Sequence, residues 1–488
     1  MNEERTSGVY VIAKERGQGG GTRRDFIGTL GMVGAGWLVA GCEIEDVARL
    51  VDEARCDLRV GILSDVHITD PNSCGMLRKA LKFFATRRVD AVIVAGDLTD
   101  NGYIGQLRSF GQTWSEVFRN DCDSSGKHVE KIFVTGNHDW IGWTYTAKGR
   151  KYRNRPEIGQ SGALVSDPDQ MWREVFHEPW QPVFTKTVNG YDFIGAHYLD
   201  GFSVESRGLR RELERQQVKT AAGESRPFFY VQHLVLQGTC CPNCGTWGAY
   251  DGGKTSVLLG RHPRCVAFCG HSHTPLTDDS SYWRGAFTCV NAGSLKYFCT
   301  APGHDNGFSL SDTETFRQQQ QLPRLNVHDN LAGLVMSVYG ERVVLERWDM
   351  SHLEKVGPDW ESTNPALDVE RARCAVPQFA EDVRPVVVRG ADTLSVQFPP
   401  ARTSSGGVRA YDYEVKVVDA AGCERGRKLV YSPAFLASEA HETEGVRCLF
   451  RLSELGGDLT GCRVCVVPRN AWCQGLQATS PVATIKCP

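Results

Sequence analysis

The chain is poor in long apolar runs. Its N-terminal uncharged stretch, Phe26–Ala40, has 15 residues, short of the ~20 that a membrane-spanning helix needs. Basic charge is not in excess either: Lys+Arg total 55 against 58 for Asp+Glu, a net charge of -3. No global positive field draws such a chain to nucleic acid, and no duplex nucleic acid partner is expected. No internal repeat is evident, and Gln318–Gln321 is too short to carry low-complexity meaning. The cysteines are not evenly spaced pairs, which argues against a zinc array. What is present is a globular composition of 488 residues, 41% hydrophobic and 23% charged with 11 Trp, enough for about three domain shares at roughly 150 residues each. The 18 Cys are many for a reducing cytosol and fit an oxidising compartment.

The first 42 residues read as an address. Arg23-Arg24 precede the moderately apolar, Gly-rich stretch, which ends Leu38-Val39-Ala40-Gly41-Cys42. This order resembles a twin-arginine export signal followed by a bacterial lipobox. The resemblance implies the twin-arginine export machinery as a partner and cleavage after residue 41. It also implies lipidation of Cys42 and a membrane-anchored lipoprotein in the bacterial periplasm or on the cell surface. Cleavage removes five basic and four acidic residues and takes the net charge from -3 to -4.

From Leu58 to about Met350, short Val-, Ile- and Phe-rich runs alternate with helical patterns, as buried strands and helices do in an α/β fold. Met76, Leu77, Ala80, Leu81, Phe83 and Phe84 give one apolar helical face between the first two runs, a βαβ unit. Gly340-Glu341 between two β-rich runs signals a hairpin. Residues 356–380 lose periodicity and read as a linker. Beyond them the runs shorten and alternate, as in an all-β immunoglobulin-like sandwich. That region resembles a fibronectin type III domain, although Cys462 stands where that family has a Tyr and seven Cys are unusual for it, so disulfides are expected to replace part of its core. The division is 1–41 signal, 42–56 tether, 57–355 α/β domain, 356–380 linker and 381–488 sandwich. The sandwich is expected to be dispensable for the chemistry.

The polar residues fall at strand ends. Asp65-Val66-His67, Gly96-Asp97, Gly136-Asn137-His138-Asp139, His233 and Gly270-His271-Ser272-His273 each follow an apolar run. In an open α/β sheet the carboxyl ends of strands share one edge, so these blocks can converge. Singly, each Asp or His is an ordinary turn former or structural residue. Together, carboxylates, an amide and imidazoles suit Mn, Fe or Zn rather than a thiolate cluster, with glycines where the backbone must turn behind each ligand.

The ordered blocks, with Asn291-Ala-Gly-Ser294 after them, resemble the signature of the calcineurin-like metallophosphoesterases. The resemblance implies a β-sandwich core flanked by helices and two divalent or trivalent transition-metal ions. Asp65, His67, Asp97 and His273 would hold one, and Asp97, Asn137, His233 and His271 the other, with Asp97 bridging. It implies a hydrolase acting on a small phosphorylated substrate, a phosphate monoester or diester, by attack of a metal-bridging hydroxide. Asn137 and His138 would contact substrate, and His138 would protonate the leaving oxygen. Purple acid phosphatases carry Tyr where this sequence has Asp100, so no coloured ferric-tyrosinate site is expected. Alternatives are a cyclic-nucleotide or nucleic-acid phosphodiesterase, the exonuclease form disfavoured by the lack of a basic stripe with interleaved aromatics, and a non-catalytic surface binding lipoprotein. Cys240-Cys241-Pro-Asn-Cys244 reads as a disulfide-braced loop rather than half of a zinc site. The basic run Lys148–Arg155 reads as a lid that attracts anionic substrate, or as a solvated loop or a contact with anionic lipid.

Overall fold

The computed structural model describes residues 11–13, 26–28, 56–140, 168–199, 204, 206–241, 251–301, 303–307, 328, 330–362, 376–381, 383–402, 409–436, 445–456, 458–471 and 483–484. Residues 1–56 and 57–488 form separate units. In the first, Val11–Ala13 pairs antiparallel with Phe26–Gly28. Arg23, Arg24 and Cys42, the basic run Lys148–Arg155 and Cys244 lie outside the described residues. Among the described residues no helix is long and apolar enough to cross a membrane.

The second unit begins with β1 (Leu58–Leu63), β2 (Ala91–Ala95) and β3 (Glu130–Val134), which run parallel. Parallel pairing needs a crossover, and α1 (Gly75–Thr86) supplies the first by burying Leu77, Ala80, Leu81 and Phe84. Gly61 on β1 admits the Phe84 ring, which a Cβ would strike. A second sheet contains β4 (Val183–Val188), β5 (Tyr191–Ala196), β6 (Phe228–Val231), β7 (Cys265–Cys269), β8 (Tyr282–Arg284) and β9 (Thr288–Asn291), in the order β8-β9-β7-β6-β5-β4. Asn189-Gly190, with φ of 49° and 82°, closes the β4–β5 hairpin in the left-handed conformation that favours this pair.

The first sheet is completed by β10 (Ala332–Tyr339), antiparallel to β1, and β11 (Arg342–Asp349), paired so that Tyr339 faces Arg342 across the expected Gly340-Glu341 turn. Val60, Ile93, Ile132 and Met336 of this sheet share one core with Phe193, Phe229, Phe268 and Val290 of the other. The domain is therefore an α/β sandwich with helices on its outer faces, as the fold reading expected. One expectation is corrected. The ligand-bearing strands do not end at one edge of an open sheet, because β1, β2 and β3 belong to one sheet and β6 and β7 to the other.

Two short strands, β12 (Glu354–Lys355) and β13 (Trp360–Glu361), pair with β11. Val356 and Trp360 pack in the shared core, so the sheet continues into the stretch read as a linker.

The C-terminal region is all β. A three-stranded sheet joins β14 (Val386–Arg389), β15 (Thr393–Phe398) and β18 (Val446–Arg451), and a four-stranded one has the order β17-β16-β19-β20 for Glu424–Tyr431, Asp412–Val418, Arg463–Arg469 and Ala483–Thr484. The period-two burial of β19 places Val464 and Val466 inside with Tyr413, Val415, Leu394 and Val396. Cys448 and Cys462 lie in this core as thiols. The expected disulfides are therefore not seen among the described cysteines, where the sulfurs pack as small apolar groups.

The sandwich is joined to the α/β domain through buried contacts. The His304 imidazole stacks on Tyr431 with centroids 3.7 Å apart, and its Nε2 lies 2.7 Å from Asp412 Oδ2. Asp305 N donates to Leu429 O at 2.9 Å, and Tyr431 N to Asn306 Oδ1 at 2.7 Å. Thr277 Oγ1 donates to Phe435 O at 2.5 Å, while Arg409 donates to Thr277 O at 3.0 Å.

Candidate metal centre

The five strands deliver their blocks to one place through strained turns. Asp65, His67, Asp97, His271 and His273 all have left-handed φ, of 52°, 48°, 50°, 69° and 53°. Such a conformation costs a non-glycine residue about 1–3 kcal/mol and persists where the surroundings over-determine it, typically at functional sites. The adjacent glycines serve close approach more than turning. A Cβ on Gly96 would strike the His233 ring, one on Gly136 would strike Asp97 Oδ1, and one on Gly270 would strike Ser64 Oγ.

Two clusters result. In the first, His273 Nδ1 lies 2.8 Å from Tyr297 O. A carbonyl only accepts, so Nδ1 carries the proton and Nε2 presents a lone pair. That lone pair faces Asp65 Oδ1 at 3.1 Å and His67 Nε2 at 3.2 Å. Asp65 Oδ1 is itself buried and accepts no hydrogen bond. In the second, His233 Nδ1 donates to Ala95 O at 2.8 Å. Its Nε2 then faces Asn137 Oδ1 at 3.0 Å and Asp97 Oδ2 at 3.2 Å. His271 joins His233 and Asp97, with one ligand atom of each within 4.8 Å of the others. Asp97 Oδ2 also stands 3.6 Å from His67 Nε2, so one carboxylate touches both clusters.

Lone pairs turned on one another inside a protein need a cation between them. Asp65, His67, Asp97, His233, His271 and His273 are all buried. Without a metal, protons must serve. Burial works to lower the His67 pKa, but the neighbouring Asp100 and Asp65 carboxylates, 3.4 and 3.8 Å from its ring nitrogens, outweigh it and raise it to about 10. His233 rises to about 9 against the same burial penalty, held by Asp97 and Asp65. His271 goes the other way, to about 3, through burial and the neighbouring His233. The donor set of carboxylates, imidazoles and an amide oxygen fits two ions of the Mn, Fe or Zn kind.

His138 sits at the rim. Its side chain is 27% exposed, its backbone N donates to Asp97 Oδ1 at 2.9 Å, and its Nδ1 donates to Asp100 O at 2.8 Å. One of its nitrogens lies within 4.8 Å of ligand atoms of His67 and Asp97.

All the sequence-expected residues of the centre, Asp65, His67, Asp97, Asn137, His138, His233, His271 and His273, therefore converge. Sequence reasoning gave no role to Asp139, which accepts from Leu98 N, Thr99 N, Thr99 Oγ1 and Gly136 N at 2.7–3.1 Å and ties the second block to the third. Burial and Asp97 raise its pKa to about 6. Nor did it find Tyr297, whose ring lies 4.3 Å from that of His273, or the Asp100 carboxylate 3.4 Å from His67 Nδ1. The only available signal for Asp139 was its place directly after Asn137-His138.

Residues 58–275 match the sequence profile of the Calcineurin-like phosphoesterase family. The chain carries a calcineurin-like phosphoesterase domain. The structure extends this phosphoesterase domain past the match, since β10 and β11 complete its first sheet. No curated protein matches the sequence. Solved structures that align include a dimetal phosphatase from Danio rerio, at 12% identity over 63% of this chain and 99% of that one with a TM-score of 0.35. GAP50, described as the anchor in the inner membrane complex of Plasmodium, aligns at 14% identity over 63% and 88% with a TM-score of 0.34. Vacuolar protein sorting 29 from Cryptosporidium parvum aligns at 12% identity over 62% and 96%, TM-score 0.28. At these TM-scores none of the likenesses bears on activity.

Proposed function

We propose that the protein is a binuclear-metal phosphoesterase that hydrolyses phosphate monoesters or diesters. In this reading it is exported by the twin-arginine route and anchored in the membrane through Cys42. The observation that carries the catalytic part is the position of Asp97 Oδ2 against both His233 Nε2 and His67 Nε2. When bound, two metal ions supply hydroxide at neutral pH and neutralise the phosphoryl oxygens.

The chain's own residues do the rest. Asp65, His67 and His273 would hold one ion, and Asn137, His233 and His271 the other, with Asp97 placed to serve both. Asp139 fixes the turns that carry Asp97 and Asn137. His138, with Nδ1 committed to Asp100 O, has Nε2 left to carry a proton to the leaving oxygen. No side-chain nucleophile is required. The C-terminal region, with its three- and four-stranded antiparallel sheets, is proposed to be a fibronectin type III-like domain.

Metal analysis with turnover of an aryl phosphate, followed by a panel of alkyl monoesters, cyclic nucleotides and phosphodiesters, tests the reading. Two ions per chain and measurable turnover are expected. A metal-loaded chain that hydrolyses no member of the panel would leave the fold as a binding scaffold and overturn the proposal.

A further inference from the structure

A second cluster of potential ligands lies outside the phosphate-hydrolysing centre. Cys240 follows β6, Cys269 ends β7, and Cys289 lies on β9. Cys240 Sγ is 3.7 Å from Cys269 Sγ and 3.7 Å from Cys289 Sγ, and the three sulfurs all lie within 4.8 Å of one another. Each residue is at most 1% exposed. On the parallel strands β7 and β9, Cys289 pairs with Ala267, so Cys269 and Cys289 share a sheet face. That face is turned away from the core shared by the two sheets.

The spacing is that of a metal site. Bonds of ~2.3 Å to a tetrahedral ion place its sulfur ligands ~3.8 Å apart, close to the 3.7 Å of the two Cys240 pairs. Apolar packing accounts for one buried thiol at a time; it gives no reason for thiols from three segments to point at one another. The Asn291 amide Nδ2, 3.8 Å from Cys269 Sγ, is a donor of the kind that orients a metal-bound sulfur.

We propose that Cys240, Cys269 and Cys289 bind one thiophilic divalent cation of the Zn²⁺ type, as a third metal site. The three thiols release their protons to solvent as the ion binds, and one coordination position remains for a small donor. In this reading Cys240 is a metal ligand and takes no part in a disulfide of the Cys240-Cys241-Pro-Asn-Cys244 loop. The second and third ligands come from strands far along the chain, which local cysteine spacing could not reveal. Because Cys269 stands two residues before His271, the bound ion braces the turn that carries His271 and His273.

The full chain, stripped of metal and reloaded with Co²⁺, tests this. A sulfur-to-cobalt charge-transfer band in the near ultraviolet is expected, bleached by added Zn²⁺. The band should persist in Asp97→Ala, which disables the binuclear centre, and vanish in Cys240→Ser and Cys289→Ser. Failure of this site and failure of the phosphoesterase reading are thereby read separately. If the cysteine variants do not fold, alkylation mapping of the unsubstituted chain decides, with Zn²⁺ expected to shield the three thiols more than Mg²⁺ does. Absence of the band in the unsubstituted protein, equal shielding by the two ions, or a mass lower by a pair of hydrogens with Cys240 cross-linked would overturn the proposal.

Discussion

Asp97 Oδ2 lies 3.2 Å from His233 Nε2, and with His233 Nδ1 committed to Ala95 O a neutral imidazole has no proton to offer that oxygen. The same oxygen reaches towards His67, so removing it should disable both halves of the centre. Asp97→Ala is expected to lose both ions, whereas His273→Ala should weaken chiefly one and His233→Ala the other. Metal analysis of the three variants checks this. Two ions retained in Asp97→Ala would remove the bridging role.

The imidazoles set a pH dependence for the metal-free chain. His67 and His233 have folded pKa values of about 10 and about 9, above the ~6.5 of an unfolded His. A raised pKa stabilises the fold fully below pH ~6.5 and progressively less as pH rises towards the folded values. The stripped protein should therefore lose thermal stability between pH 7 and 9. Metal replaces these protons, so uptake should release protons and tighten with pH. Melting scans and proton counting during titration with Zn²⁺ measure both, and a flat stability profile for the stripped chain would contradict the assignment.

How much of this was legible in the sequence follows from which signals are local. The strands showed as apolar runs, and the ligands as polar residues directly after them, because burial and strand termination act over a few residues. The partition of those strands between two sheets was not legible. Pairing such as β10 with β1 joins residues more than 270 positions apart, and both sheets use the same apolar vocabulary. Asp139 was passed over for a related reason, since its four donors come from two blocks that meet only in the fold. Trp360 was lost in a stretch of Pro, Gly and Asp, although it packs in the shared core.

His138 separates metal binding from chemistry. Its nitrogens are outside the two proposed ligand sets and its Nδ1 is tied to Asp100 O. His138→Ala should keep both ions while turnover falls by about 10²–10⁴, the usual contribution of general acid catalysis. The loss should be greater for an alkyl phosphate than for a nitrophenyl phosphate, whose leaving group departs without a proton. Equal losses would assign His138 to charge stabilisation instead.

The proposed membrane anchor is tested by Cys42→Ser, which should move the protein from the membrane fraction to the soluble one. Arg23→Lys with Arg24→Lys should block export. A membrane-bound Cys42→Ser protein would end the anchor assignment.

The sandwich was expected to be dispensable because every ligand precedes Thr274, but its buried contacts with the segments beside the centre favour the opposite outcome. The segment 303–307 is held by β17 and by the stacked pair His304 and Tyr431. A few residues upstream, Tyr297 holds His273 Nδ1 through its carbonyl and covers the ring. Cutting the chain after Ser362 keeps every strand of the phosphoesterase sheets but strips this segment of its partners and exposes Thr277. Such a truncation should melt at a lower temperature and turn over more slowly than the full chain, with His273's ion bound more weakly than His233's. The substitution Tyr431→Ala should give a milder version of the same defect in the intact protein. If the truncated chain matches the full one in melting temperature, metal content and turnover, the buried contacts of His304 and Thr277 do not support the centre, and the sandwich is an appendage after all.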